Sequence, residues 1–127
     1  MEAKQTFKVI IAGGREFNDY GLLCQTCDRM LSQKYQTHDI VIISGTARGA
    51  DILGERYAHE RGYAVERFPA DWEHTGKSAG FIRNAQMASV ADALIAFWDG
   101  QSKGTAHMIR EANSRGLVSR VVRYCNI

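Results

Sequence analysis

Apolar residues along this chain follow two rhythms. Val9-Ile10-Ile11-Ala12, Ile40-Val41-Ile42-Ile43 and Ala93-Leu94-Ile95-Ala96-Phe97 are unbroken runs of strand length, as strands buried on both faces require. Between them the spacing changes to three and four. Tyr20, Leu23, Cys24, Cys27, Met30 and Leu31 trace one helical stripe; Ala50, Leu53, Gly54, Tyr57 and Ala58 trace a second; Thr105, Met108, Ile109 and Ala112 trace another. A further helix over about Ser78 to Ala91 has a less clean stripe, because Arg83, Asn84 and Gln86 interrupt its apolar positions. Ala64-Val65-Glu66-Arg67-Phe68 alternates apolar and charged residues, the pattern of a strand at or near a sheet edge. Val118-Ser119-Arg120-Val121-Val122 completes the set.

Caps and stops bound these elements. The first helix is expected from Asn18 or Asp19 to Tyr35, followed by the polar turn Gln36-Thr37-His38-Asp39. The second starts within Arg48-Gly49-Ala50-Asp51 and stops at Gly62, and its Gly54 lets helix and strand approach closely. The last runs from about Lys103 to Arg115, with Gly116 as its stop. Pro69 to Lys77 reads as a loop of about nine residues, longer than the usual ~2–6 of a strand-to-helix connection. Strands and helices thus alternate throughout. The expected fold is α/β, a Rossmann-like doubly wound three-layer sandwich around a five-stranded parallel sheet of order 3-2-1-4-5. With 127 residues and no linker or internal repeat, a single domain over residues 1–127 is expected.

Such a sheet brings the carboxyl ends of its strands to one edge, and there three apolar runs pass directly into glycine-containing polar sequence. Gly13-Gly14-Arg15 offers backbone without Cβ and a planar guanidinium fork. The third glycine of the dinucleotide fingerprint is missing, so a plain turn explains the two glycines as well. Ser44-Gly45-Thr46-Ala47-Arg48-Gly49-Ala50-Asp51 combines two glycines, two hydroxyls, an arginine and a helix start, without the Gly-Lys-Ser/Thr ending of a P-loop. Its N–H groups with the Ser44 and Thr46 hydroxyls suit a phosphate, while Asp51 either accepts from ribose hydroxyls or ties down the loop. Asp99 to Thr105 opens the last helix in the same way, with Asp99, Ser102, Gly104 and Thr105 as candidates across the switch point. Two anion sites facing each other suit a pyrophosphate or a two-ended nucleotide.

Asp71-Trp72-Glu73-His74-Thr75-Gly76-Lys77 adds an aromatic plane, two carboxylates, an imidazole and a cation, a mixture for stacking on a base and gripping a sugar. Its alternative is a solvated loop with Trp72 packed inward. Arg83, about one and a half turns into its helix, meets either an anion or a structural carboxylate. With Arg15, Arg48, Lys77 and Lys103 it forms a set of cations that the topology brings towards one edge.

A formal net charge of +2 falls short of the footprint of a dedicated nucleic-acid binder, which leaves an anionic small molecule as the favoured partner and nucleic acid as an unlikely one. No segment approaches the ~20 apolar residues that cross a bilayer, so no membrane partner is expected. Met1-Glu2-Ala3-Lys4-Gln5-Thr6 lacks the apolar stretch of a secretory signal, and a cytoplasmic location is expected. Cys24 and Cys27 stand as Cys-x-x-Cys, but no second Cys or His pair has metal spacing and both lie on the helical stripe, which assigns them to the core. His38, His59 and His107 have no partner spacing and receive no role. Neither a metal nor a cofactor is expected.

Taken together, the Gly13-Gly14-Arg15 and Phe17 segment, the Ser44 to Asp51 turn, the Asp71-Trp72 to Lys77 loop, Gly80-Phe81-Ile82-Arg83-Asn84 and the Asp99-Gly100 to Gly104-Thr105 turn resemble the SLOG superfamily of Rossmann-like domains. The likeness is to its small stand-alone branch related to YspA and YpsA, and covers nearly the whole chain. The resemblance implies a crevice for nucleotides or nucleotide-derived ligands, in a superfamily that includes cytokinin-activating phosphoribohydrolases, DprA DNA-processing proteins and sensors of ADP-ribose-type signals. Gly14, Arg15, Ser44, Gly45, Arg83, Gly104 and Thr105 fall on matching positions, and Asn84 belongs to the matching helix. Self-association is a further implication of the resemblance. The hydrolase branch carries a glutamate in a Gly-Thr-x-x-Glu pattern; here that position is Met108.

The expected function is therefore binding of a phosphate-bearing nucleotide derivative, NAD-derived or ADP-ribose-like, by a sensor, carrier or sequestering protein. One alternative is an N-glycosidic hydrolase, whose candidate catalytic carboxylates are Asp71 and Glu73, with Asp99 remaining. The other is DprA-like binding of single-stranded DNA.

Overall fold

The computed structural model describes residues 4–125; Met1, Glu2 and Ala3 of the leading stretch, with Asn126 and Ile127, lie outside the described residues. Five strands and five α-helices follow one another as β1 (Gln5–Gly13), α1 (Tyr20–Leu31), β2 (His38–Ser44), α2 (Ala50–Arg61), β3 (Ala64–Arg67), α3 (Trp72–Thr75), α4 (Ala79–Val90), β4 (Ala93–Trp98), α5 (Lys103–Ser114) and β5 (Val118–Arg123). A 3-10 turn, Gly76–Ser78, joins α3 to α4. Every strand pair is parallel and the order is β3-β2-β1-β4-β5, the doubly wound Rossmann-like topology that the periodicities predict.

Two cores result from the two-residue alternation of the central strands. Val9, Ile11, Ile40, Ile42, Ile95 and Phe97 face α1 and α2, where Leu23, Cys27, Tyr57 and Ala58 cover them. Ile10, Ala12, Ile43, Leu94 and Ala96 face the other way, onto Met87 and Ala88 of α4 and Met108 and Ala112 of α5. The three layers therefore share one sheet whose middle strands are apolar on both sides. At Gly54 a Cβ would stand 2.9 Å from the Cβ of Ile11, so glycine is what allows α2 to settle on β1. Cys27 is fully buried in the first core, burial pushes its thiol up, and the thiol stays protonated there.

Several boundaries differ from the sequence expectation. His38 and Asp39, expected in a turn, already belong to β2 and pair with Gln5 and Thr6 of β1. α1 ends at Leu31 rather than Tyr35: Lys34 and Tyr35 both donate their N–H to the Leu31 carbonyl in tight turns, and Tyr35 is half exposed. Beyond Leu31 the stripe has no further residue to bury, and packing rather than propensity holds a helix of this length. The Pro69 to Lys77 segment is not a plain loop. Asp71 caps the single-turn α3, its carboxylate accepting from the His74 N–H at 3.3 Å, and the chain continues through the 3-10 turn into α4. Among the described residues no helix is long and apolar enough to cross a membrane.

Candidate functional site

β1 and β4 lie side by side, but their connections leave to opposite faces of the sheet: β1 leads into α1 on one, β4 into α5 on the other. The turns after them diverge and leave a cleft of about 380 Å³ at the carboxyl edge. That volume is within the ~300–1,000 Å³ range of small-molecule pockets.

One wall is the Gly13-Gly14-Arg15 turn. Gly13 packs so closely on β4 that a Cβ there would sit 2.3 Å from the Phe97 carbonyl oxygen, and the Gly14 N–H donates to that same oxygen at 3.1 Å. The Gly14 carbonyl in turn accepts from Phe17 and from Ala50, the first residue of α2, at 3.2 Å each. Gly49 makes this join possible: its φ is +82°, and a side chain would meet the Gly14 carbonyl oxygen at 2.3 Å. Arg15 projects from the turn, exposed, into the cleft.

The Ser44 to Asp51 turn is largely occupied by its own hydrogen bonds. Ser44 is buried; its hydroxyl donates to Glu55 at 2.6 Å and accepts from the Thr46 N–H at 3.0 Å, so it lines no hollow. Asp51, also buried, accepts from the Ala47 N–H at 3.2 Å and reaches the cleft. Burial pushes its carboxyl up to about 6, against the pull of the Ala47 N–H and the Arg83 charge. Arg48 pairs with Glu16 at 2.7 Å, tying this turn to the one after β1.

The opposite wall comes from α4 and α5. Arg83 is half buried, donates from Nη1 to the Gly45 carbonyl and from Nε to Asn84 Oδ1 at 3.0 Å, and lines the cleft. Burial pulls its guanidinium down, with Asp51 opposing and Arg15 adding to the effect. Asn84 is buried and donates from Nδ2 to the Gly104 carbonyl at 3.1 Å, which joins α4 to the start of α5. That start is a capped turn: Asp99 accepts from the Gln101 and Ser102 N–H groups at 2.8 Å each, and Ser102 Oγ accepts from Thr105 at 3.3 Å. The two N–H bonds hold the Asp99 carboxyl below its usual range. Asp99, Ser102, Gly104 and Thr105 all line the cleft, and the opening N–H groups of α5 beside them lack helical partners by construction.

Of the sequence-derived candidates, the cleft thus gathers Gly13, Gly14, Arg15, Asp51, Trp72, Lys77, Arg83, Asn84, Asp99, Ser102, Gly104 and Thr105. Gly45, Thr46 and Arg48 line a neighbouring hollow instead. Asp71 and Glu73 line neither; Asp71 is engaged with the His74 ring at 2.8 Å and with the α3 cap. Lys103 also stands outside both. Trp72 is 52% exposed, so its indole is an open face rather than a core residue.

Several lining residues carry no sequence motif. Ala12, Met87 and Met108 form an apolar floor, and Phe81, stacked on His107 at 4.1 Å between ring centroids, stands at one side. Tyr124 follows β5, its N–H donating to the Trp98 carbonyl at 3.1 Å, and its hydroxyl is buried without a hydrogen-bond partner against Gly14. The signal for it was available: Val122 and Tyr124 are two residues apart on a continued strand, and both pack on the first core.

A family model described as the YspA, cpYpsA-related SLOG family matches residues 7–74. The Gene 61 protein of Mycobacterium phage D29 is 36% identical over 117 residues, covering 87% of this chain and 91% of that protein. DNA processing protein A of Streptococcus pneumoniae superposes with a TM-score of 0.69 at 15% identity, over 92% of this chain and 50% of that one. The same protein from Helicobacter pylori, whose structure concerns its single-stranded DNA binding mode, gives 0.64 at 22% identity, over 91% of this chain and 64% of that one. Both are longer proteins that share the fold of this chain.

Proposed function

Because the chain belongs to the YspA, cpYpsA-related SLOG family, we propose that its cleft binds a phosphate-bearing nucleotide derivative and that the protein serves as a sensor, carrier or sequestering protein. One observation carries this reading: at the β1–β4 switch point a Cβ-free turn faces the start of α5, with the cations Arg15, Lys77 and Arg83 and the open Trp72 indole around one cleft. Helix N–H groups and guanidinium forks hold phosphate oxygens, and an indole beside them stacks on a base. Met108 lines the cleft at the position where the resembling hydrolase branch carries the glutamate of its Gly-Thr-x-x-Glu pattern, which favours binding over cleavage.

Calorimetric titration with AMP and ADP tests the proposal. Saturable one-to-one binding is expected, weakened about tenfold or more by Arg15→Ala. No binding of either nucleotide would overturn it. Release of free base at catalytic rates from the same mixtures would favour the hydrolase instead, with Glu16, Asp51 and Asp99 as the carboxyls that line the cleft. The fold shared with DNA processing protein A supports a second reading, a groove for single-stranded DNA. An oligonucleotide that binds more tightly than any mononucleotide would select it.

A further inference from the structure

Gly14 is bare for a reason that its backbone does not supply. It is not among the glycines with a positive φ, so its φ is one that residues with side chains also use. What forbids a side chain there is Tyr124: a Cβ on Gly14 would stand 1.9 Å from the phenolic oxygen. The hydroxyl thus fills the space that a Cβ-free turn would offer a ligand. Among the described residues it is the one buried side-chain nitrogen or oxygen without a hydrogen-bond partner. An unpaired buried hydroxyl is costly, and one kept in a folded chain calls for a reason beyond packing.

The tyrosine is aimed by its surroundings. Its N–H donates to the Trp98 carbonyl at 3.1 Å, and its ring stands edge-on to Phe17 at 4.9 Å between centroids. Phe17 in turn stacks on Phe97 at 4.6 Å and donates its N–H to the Gly14 carbonyl at 3.2 Å. One turn therefore carries both the glycine and the aromatic support of the tyrosine. Only contact holds the hydroxyl on Gly14, so moving off it breaks no hydrogen bond. Tyr124 also lines the cleft, beside the turn that carries Arg15, whose guanidinium forms no ion pair among the described residues. Burial, with the Asp99 and Glu16 charges adding, pushes the phenol up, so near neutral pH it keeps its proton and is a donor.

We infer that Tyr124 is a ligand-binding residue, whose hydroxyl turns off the bare face of Gly14 and donates to a phosphate oxygen held by Arg15. The hydroxyl exchanges a place without a partner for a charge-assisted bond, and the freed Gly14 backbone comes within reach of the same phosphate. A rigid ring with two side-chain torsions gives up little freedom in that exchange. This inference rests on the proposed phosphate-bearing ligand, and its test separates the two.

Titration calorimetry with AMP, ADP and pyrophosphate, alongside urea melts, compares the unmodified protein with Tyr124→Phe. The phenyl ring keeps the Phe17 contact and loses only the oxygen. All three probes are expected to bind about tenfold more weakly, the loss of one hydrogen bond to a charged group, while the urea midpoint holds or rises. Unchanged affinities in the folded variant would overturn the inference while leaving the nucleotide reading in place. A loss confined to AMP and ADP would assign the hydroxyl to sugar or base and overturn the phosphate contact. Failure of AMP and ADP to bind the unmodified protein would overturn the nucleotide reading itself, and this inference with it. Gly14→Ala tests the geometry without a ligand: its Cβ collides with the hydroxyl and lowers the urea midpoint, and Tyr124→Phe in the same chain restores most of that loss. A loss of equal size in both backgrounds would overturn the placement of the hydroxyl on Gly14 and the inference built on it.

Discussion

Arg83 and Asp51 show at the residue scale how a site can be built from groups that also hold the fold. Arg83 reaches the Gly45 carbonyl, Asp51 lies beside it at 6% exposure, and both line the cleft. Arg83→Ala is expected to weaken nucleotide binding at least about tenfold and to lower stability by ~1–3 kcal/mol, because it leaves the Gly45 carbonyl and Asn84 Oδ1 without their donor. Calorimetry and urea melts read the two effects separately, and full affinity in this variant would contradict the site. Asp51 makes a pH-dependent prediction. Its carboxyl titrates near 6 when folded and near ~3.9 when unfolded, so the folded state holds the proton more tightly. The linked stability, on the order of 3 kcal/mol, is fully present below ~3.9 and is lost as pH rises through about 6. Asp51→Asn removes this dependence, and urea melts between pH 3.5 and 7 should show the difference between the two proteins shrinking or reversing across that window.

At the scale of elements, the cleft depends on joints between a strand end and a helix start that sequence-distant segments complete. The Gly14 carbonyl receives the first N–H of α2 only because Gly49 takes a left-handed φ and leaves room for it. Gly49→Ala places a Cβ on that carbonyl, and a loss of about 2 kcal/mol or more is expected in thermal or urea melts, together with weaker ligand binding. The α5 start is less demanding. Ser102→Ala removes one cap and is expected to cost about 1 kcal/mol, with the Asp99 bonds to Gln101 and Ser102 retaining the turn. A greater loss of affinity than of stability in this variant would show that the cap also orients the N–H groups facing the cleft.

For the whole molecule, the proposed anionic ligand has to be reconciled with a net charge of only +2. Position within the fold bears on this: Arg15, Arg48, Lys77 and Arg83 converge on one edge of the sheet, alongside Glu16, Asp51 and Asp99, while Glu60, Glu66 and Asp28 pair with cations elsewhere. Affinity for ADP, under the proposed function, should fall only shallowly with added salt, since few charges are neutralised. A log–log slope as steep as that of a strand neutralising six or more phosphates would point to an extended nucleic-acid ligand.

The order of elements and the sheet 3-2-1-4-5 were legible along the chain, because burial on both faces or on one face leaves a period of its own and parallel crossovers allow few arrangements. The same rules located the edge where Gly13, Arg15, Asp99 and Thr105 meet. Partnerships across that edge were not legible. Ser44, with the same look as a phosphate ligand, is turned inward onto Glu55, while Tyr124, Met87 and Met108 reach the cleft from segments read as strand end and core. Asp71 and Glu73 looked suited to chemistry and line neither the cleft nor the neighbouring hollow. Periodicity is local and survives in the sequence alone; which polar group meets which is set by contacts between residues dozens of positions apart, and only the folded chain decides them.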